Sequence, residues 1–135
     1  MCTRLELSLP AVPASIRDAR NAAADAIVDL GASGLVVENV RLCVSEAVTN
    51  VVRHAYDDRG GDVRLLVGCD SGDFVVDVYD AGKGLSDFRQ DGDLGYGLKI
   101  IEELADRCSF ASAPHLGTHV EMAFAVGGPC RAASP

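Results

Sequence analysis

Apolar positions along the chain switch between two spacings. From Thr3 to Leu9 they alternate, with Leu5, Leu7 and Leu9 on one side and Arg4, Glu6 and Ser8 on the other, which predicts a half-buried strand. Pro10 and Pro13 punctuate it. From Ala14 to Leu30 the spacing becomes helical, with Ile16, Ala19, Ala23, Ile27 and Leu30 on one face. Gly31-Ala-Ser-Gly34 breaks that helix. The next helix runs to Tyr56 and carries a wide apolar stripe of Val36, Val40, Cys43, Val44, Ala47, Val48, Val51 and Ala55.

After a turn at Asp57–Gly61, alternation returns. Val63, Leu65 and Val67 predict one strand, and Phe74, Val76 and Val78 predict a second. The short Asp70-Ser-Gly-Asp73 link makes them an antiparallel hairpin. Ala81 to Leu94 is rich in Gly, Asp and Ser and poor in apolar residues, so it reads as a long loop of the kind that is often functional. Gly95 to Asp106 predicts a helix with Leu98, Ile101, Leu104 and Ala105 on one face. Cys108–Ser112 and Thr118–Phe124 predict two last strands, joined through Pro114-His-Leu-Gly117. The expected architecture is an α+β two-layer sandwich, with helices on one face of a mixed, mostly antiparallel sheet. Residues 1–126 make one domain and residues 127–135 have the composition of a loose tail.

Bulk composition narrows the partners. A chain of 135 residues suits a single core, and 48% hydrophobic with 24% charged residues is an ordinary globular balance. A net charge of −8 argues against a nucleic-acid surface, which needs a basic patch, while leaving room for a basic protein partner. The five cysteines, Cys2, Cys43, Cys69, Cys108 and Cys130, form no C-x-x-C pair, and a reduced, cytoplasmic setting is the simplest reading. No segment reaches the length of a membrane span or resembles a signal peptide.

Four places carry candidate chemistry. Glu46 and Asn50 lie one turn apart at the edge of the long helix's apolar stripe, where they could hold a hydrated metal ion or be hydrogen-bonded structural residues. His54, one turn further, drifts into the stripe and fits a satisfied core histidine. Asp80 ends its strand with the parity of Phe74, Val76 and Val78, so it points coreward and needs a donor. It opens Asp80-x-Gly82-x-Gly84, whose glycines either form a common turn or let a flat ligand approach the backbone. Gly95 and Gly97 stand just before a predicted helix, where free N–H groups favour phosphate. Thr118 follows Gly117 with an inward hydroxyl, although threonine is also simply a good strand former.

In order and spacing, Glu46-x-x-x-Asn50, Asp80-x-Gly82-x-Gly84, Gly95-x-Gly97 and Gly117-Thr118 resemble the Bergerat (GHKL) ATP-binding fold of gyrase B, Hsp90, histidine kinases and MutL. Val44-Ser-Glu-Ala-Val-Thr-Asn50, His54-Ala-Tyr56 and Gly95-Tyr-Gly-Leu-Lys-Ile-Ile101 are similar to the small anti-sigma factor serine kinases of bacteria. The resemblance implies ATP and Mg²⁺ as cofactors. It makes Asn50 the Mg²⁺ ligand and Glu46 the general base toward a serine hydroxyl. Asp80 would bind the adenine amino group, with Thr118 supporting it. Gly82 and Gly84 would floor the adenine pocket, Gly95 and Gly97 would offer N–H groups to the phosphates, and Leu85–Leu94 would be a lid. It further implies a sigma factor and a STAS-domain anti-anti-sigma protein as partners, and a homodimer. An anti-sigma module with little kinase activity is the alternative; a histidine-kinase catalytic domain fits less well, because no helices carrying a phosphoacceptor histidine are seen. Two departures bear on the kinase: only ten residues separate Gly84 from Gly95, and Asp93-Leu94 stands where some relatives carry an arginine near the terminal phosphate. Lys83 and Arg89 are the nearest basic residues to that position.

Overall fold

A computed structural model describes residues 1–56, 60–84 and 92–126. Its elements follow the order β1 (Cys2–Pro10), α1 (Pro13–Asp29), α2 (Gly34–Asn50), a π-helical turn (Val51–Ala55), β2 (Asp62–Asp70), β3 (Asp73–Asp80), α3 (Gly92–Leu104), β4 (Arg107–Ala113) and β5 (Gly117–Ala125). The strands form one sheet in the order β1-β2-β3-β5-β4.

All four strand pairings are antiparallel, so the mixed sheet expected from the sequence is corrected on that point. The reason is topological. β3 and β4 run in the same direction, as a crossover through α3 requires, but β5 inserts between them and pairs with both.

One face of the sheet is covered. Ala19, Ala23 and Ile27 of α1, Val40, Val44 and Val48 of α2 and Ile101 of α3 are fully buried against Leu65, Val67, Val76, Val78, Met122 and Phe124. Burying several such side chains at about 1.5–3 kcal/mol each supplies the main driving force. The alanines of α1 keep that helix close to α2, with which it makes its main helical contact. α2 starts cleanly because the Ser33 hydroxyl accepts a hydrogen bond from the Val36 N–H at 3.3 Å.

Two helix boundaries differ from expectation. The helix predicted to continue to Tyr56 is α-helical only to Asn50 and then widens into the π turn. Ser45 Oγ donates to the Arg41 carbonyl at 2.9 Å and Thr49 Oγ1 to the Ser45 carbonyl at 2.6 Å, back-bonds of the kind that bend helices. Apolar spacing alone does not report this change of pitch. α3 begins three residues before Gly95, so Gly95 and Gly97 lie within its first two turns rather than ahead of it.

Cys43 is a buried free thiol of the core, and Cys69 is buried in β2. Among the described residues no helix is long and apolar enough to cross a membrane. The proposed lid residues 85–91, Arg89 among them, and the tail 127–135 lie outside the described residues.

Candidate nucleotide site

A row of paired residues crosses the sheet at one end. Ser112 of β4 pairs with Thr118 of β5, Thr118 with Asp80 of β3, and Asp80 with Val63 of β2. The π turn and α3 stand over this row and enclose a cleft. Its lining is mostly apolar, from Ala47, Val51, Ala55, Val78, Leu98, Phe110 and Val120, with Asn50, His54, Asp80 and Thr118 as the polar members. About 490 Å³ of empty space lies within it, counting the part open to solvent. An apolar cleft with a few convergent polar groups is the usual form of a small-molecule site.

Asp80 is the most constrained of these groups. Its Oδ1 accepts the Gly82 N–H at 2.9 Å. Burial pushes its carboxyl up from the ordinary value, while the backbone N–H groups of Gly82 and Thr118 pull it back. A half-buried carboxylate with spare lone pairs facing a cleft suits a ligand that donates hydrogen bonds. Thr118 Oγ1 and Ser112 Oγ are 2.9 Å apart, so each hydroxyl orients the other. Ser112 was not among the sequence candidates; the hairpin register that sets it opposite Thr118 was the available signal.

The loop after Asp80 is fixed by backbone packing. The Lys83 N–H donates to the Ala55 carbonyl at 2.8 Å, and the Tyr56 hydroxyl takes the Ala81 N–H at 2.9 Å while donating to the Asp62 carbonyl at 2.7 Å. A Cβ on Gly82 would collide with the Ala55 carbonyl oxygen, and one on Gly84 with the Ala113 carbonyl oxygen. These glycines are therefore required by contact between protein backbones. Gly84 also lines the cleft, and its φ of +67° suits glycine.

On the other side of the cleft, Gly97 lies over the acid–amide pair of α2. A Cβ there would stand 2.8 Å from Glu46 Oε2 and 3.5 Å from Asn50 Nδ2. So the structure brings Glu46, Asn50 and Gly97 together, and it puts Asn50 in the same cleft as Asp80, Gly84 and Thr118. Gly82 supports the loop from outside the lining.

His54 differs from its sequence reading. It lines the cleft, and its Nε2 is buried with no hydrogen-bond partner among the described residues, so it is not a satisfied core histidine. The π turn is the physical reason: its wider pitch delays residues after Asn50 around the axis and leaves His54 beside the cleft. A buried orphaned nitrogen costs free energy unless a ligand or water meets it. That orphan and the mixed apolar and polar lining fit a heterocycle-bearing ligand, and an amide and a carboxylate that both approach Gly97 supply oxygen donors of the type a hard cation takes.

Residues 9–124 match the histidine kinase-like ATPase domain. An anti-sigma F factor of Pasteuria penetrans is 30% identical over 132 residues, covering 88% of each chain. The chain belongs to this family of ATPase domains, among its anti-sigma factors. Family relatives include an anti-sigma F factor of Clostridium botulinum (strain Eklund 17B / Type B), 30% identical over 77% of this chain and 81% of its own. Another, from Thermoanaerobacter sp. (strain X514), is 26% identical over 67% of this chain and 71% of its own. The fold also matches the crystal structure of the RsbU and RsbW domains of Rv1364c from Mycobacterium tuberculosis, with a TM-score of 0.73 and 21% identity. That match covers 90% of this chain but 32% of the other, so the chain spans about a third of that protein's length.

Proposed function

We propose that this chain is an ATP-dependent protein serine kinase that binds a sigma factor and phosphorylates a STAS-domain anti-anti-sigma partner on serine. The observation that carries the reading is the convergence of Glu46, Asn50 and Gly97 on one side of a cleft that holds Asp80, Thr118 and the orphaned His54. The names of the anti-sigma F relatives support the partner class.

In this account the Asp80 carboxylate accepts the adenine amino group, and Thr118, held by Ser112, supports the same end. His54 Nε2 gains a polar partner when nucleotide and its waters fill the cleft. Gly95 and Gly97 allow the phosphates to approach the first turns of α3, where the helix dipole favours negative charge. Asn50 would hold Mg²⁺, whose chemistry here is to neutralise charge developing on the phosphates. Glu46 takes the proton of the partner's serine hydroxyl as its oxygen attacks. Homodimerisation and a cytoplasmic setting complete the reading.

The test is capture of partners from the source organism's lysate with Mg-ATP and with Mg-ADP, read by mass spectrometry for phosphoserine. A sigma factor in the bound fraction and a STAS protein newly phosphorylated only with ATP is the expected result, and the Glu46→Ala variant should keep ATP and lose phosphotransfer. A second reading, a nucleotide-dependent anti-sigma module with little kinase activity, draws on Asp93-Leu94 standing where some relatives carry an arginine. Bound partners without phosphorylation would favour it.

A further inference from the structure

The sheet face opposite the helices carries a second constellation, separate from the cleft. Asp77 of β3 and Glu121 of β5 are register partners, so two carboxylates stand directly opposite each other. Like charges in that position oppose strand pairing. Asp77 is only 4% exposed and, with Ser15, is one of two buried polar residues among those described. Its Oδ1 meets His119 Nε2 at 2.7 Å, and His119 lies two residues from Glu121 on the same strand and face. The donor atoms of Asp77, His119 and Glu121 all fall within 4.8 Å of one another.

The histidine is held in place from behind. Its ring stacks on Tyr79, its own cross-strand partner, with centroids 4.0 Å apart and planes 12° from parallel. The Arg64 guanidinium lies 5.7 Å from the other side of that stack, over the Tyr79 ring, and is itself fixed by Glu6 at 2.7 Å. Such backing presets the plane in which Nε2 can donate a lone pair.

We propose that Asp77, His119 and Glu121 form a binding site for a divalent transition ion, with Zn²⁺ the ion the donor set fits. One imidazole with two carboxylates matches borderline ions, whereas Mg²⁺ and Ca²⁺ take mainly oxygen donors. Bonds of about 2.0–2.2 Å to zinc place three donors within the observed spread after small side-chain movements. The ion enters the Asp77–His119 hydrogen bond: Nε2 becomes a ligand and the imidazole proton moves to Nδ1. It also removes the repulsion between Asp77 and Glu121. Three protein donors leave a tetrahedral ion one position for water or for a donor from a partner protein.

The experiment is equilibrium dialysis of the full chain with Zn²⁺ in the absence of nucleotide, followed by Co²⁺ spectroscopy to separate imidazole and carboxylate ligation from thiolate ligation. One ion per chain is expected, with no sulfur-to-cobalt charge-transfer band. Both His119→Ala and Glu121→Gln should weaken binding at least tenfold, and Glu121→Gln, an exposed substitution, keeps the test valid should His119→Ala fail to fold. Mg-ATP titrations of Glu121→Gln should be unchanged, because the cleft lies on the other sheet face. Absence of Zn²⁺ binding by the wild type, equal binding by Glu121→Gln, or a thiolate band would each overturn the assignment.

Discussion

Gly97 of α3 sits against Glu46 of α2 so closely that a Cβ on Gly97 would stand 2.8 Å from Glu46 Oε2. The contact is to the end of a flexible side chain, so an added methyl group is accommodated by moving the carboxylate. Glycine inside a helix also costs about 0.5–1 kcal/mol relative to alanine. Gly97→Ala should therefore fold with unchanged or slightly raised Tm while phosphotransfer falls by about tenfold or more, a loss of about 1.4 kcal/mol in transition-state stabilisation. Thermal unfolding and initial phosphorylation rates on the same preparation check this. A variant that is fully active would detach Glu46 from the chemistry.

Gly84 gives the opposite expectation. Its φ is +67° and its Cβ position is blocked by the Ala113 carbonyl oxygen, a backbone atom that cannot swing away. Gly84→Ala should destabilise the fold by about 2–3 kcal/mol, measured by denaturant unfolding. Little or no loss would mean that the loop after Asp80 is not docked on the β4–β5 turn.

Asp80 links the site to pH. Its carboxyl is raised by burial, so the folded protein holds that proton to higher pH than the unfolded chain does. Its contribution favours folding at low pH and is lost as pH rises from the ordinary carboxyl value of 3.8 through the raised folded value. Asp80→Asn removes this partly desolvated charge. Its Tm should exceed that of the wild type at pH 7–8, and the difference should shrink as the pH is lowered through that window. A Tm below wild type at neutral pH would contradict the burial argument.

Cys43 provides a check on the core. Burial, reinforced by Cys108 and Glu46, pushes its thiol up to about 12, so the thiolate that would react is scarce at pH 8. Cys43 should resist alkylation in the native protein and react only on unfolding, as peptide mapping after brief iodoacetamide treatment of native and denatured protein would show. Native labelling of Cys43 at the rate seen in the denatured protein would place that face of α2 in contact with water.

The strands were legible because alternation is a property of single residues: Phe74, Val76 and Val78 are all buried, and Asp80 continues their parity at the cleft. The partnership of Asp80 with Thr118 was legible only through resemblance, since register across β3 and β5 depends on a long connection that local pattern does not encode. His54 was misread because the π turn alters pitch without altering the apolar spacing that defines the stripe. The sheet was misread as mixed because β5, last in the chain, inserts between β3 and β4. The glycines of the Asp80 loop were recognised, but their reason, contact with the Ala55 and Ala113 carbonyls, exists only in the folded chain.

The most direct test of the central claim is calorimetric titration of the wild type and Asp80→Asn with ATP and with GTP in the presence of Mg²⁺. The account predicts one ATP per chain, a preference for ATP over GTP, and at least a tenfold weakening by Asp80→Asn in a protein that remains folded. Equal affinity for ATP and GTP in the wild type, or undiminished ATP binding by the folded variant, would contradict it.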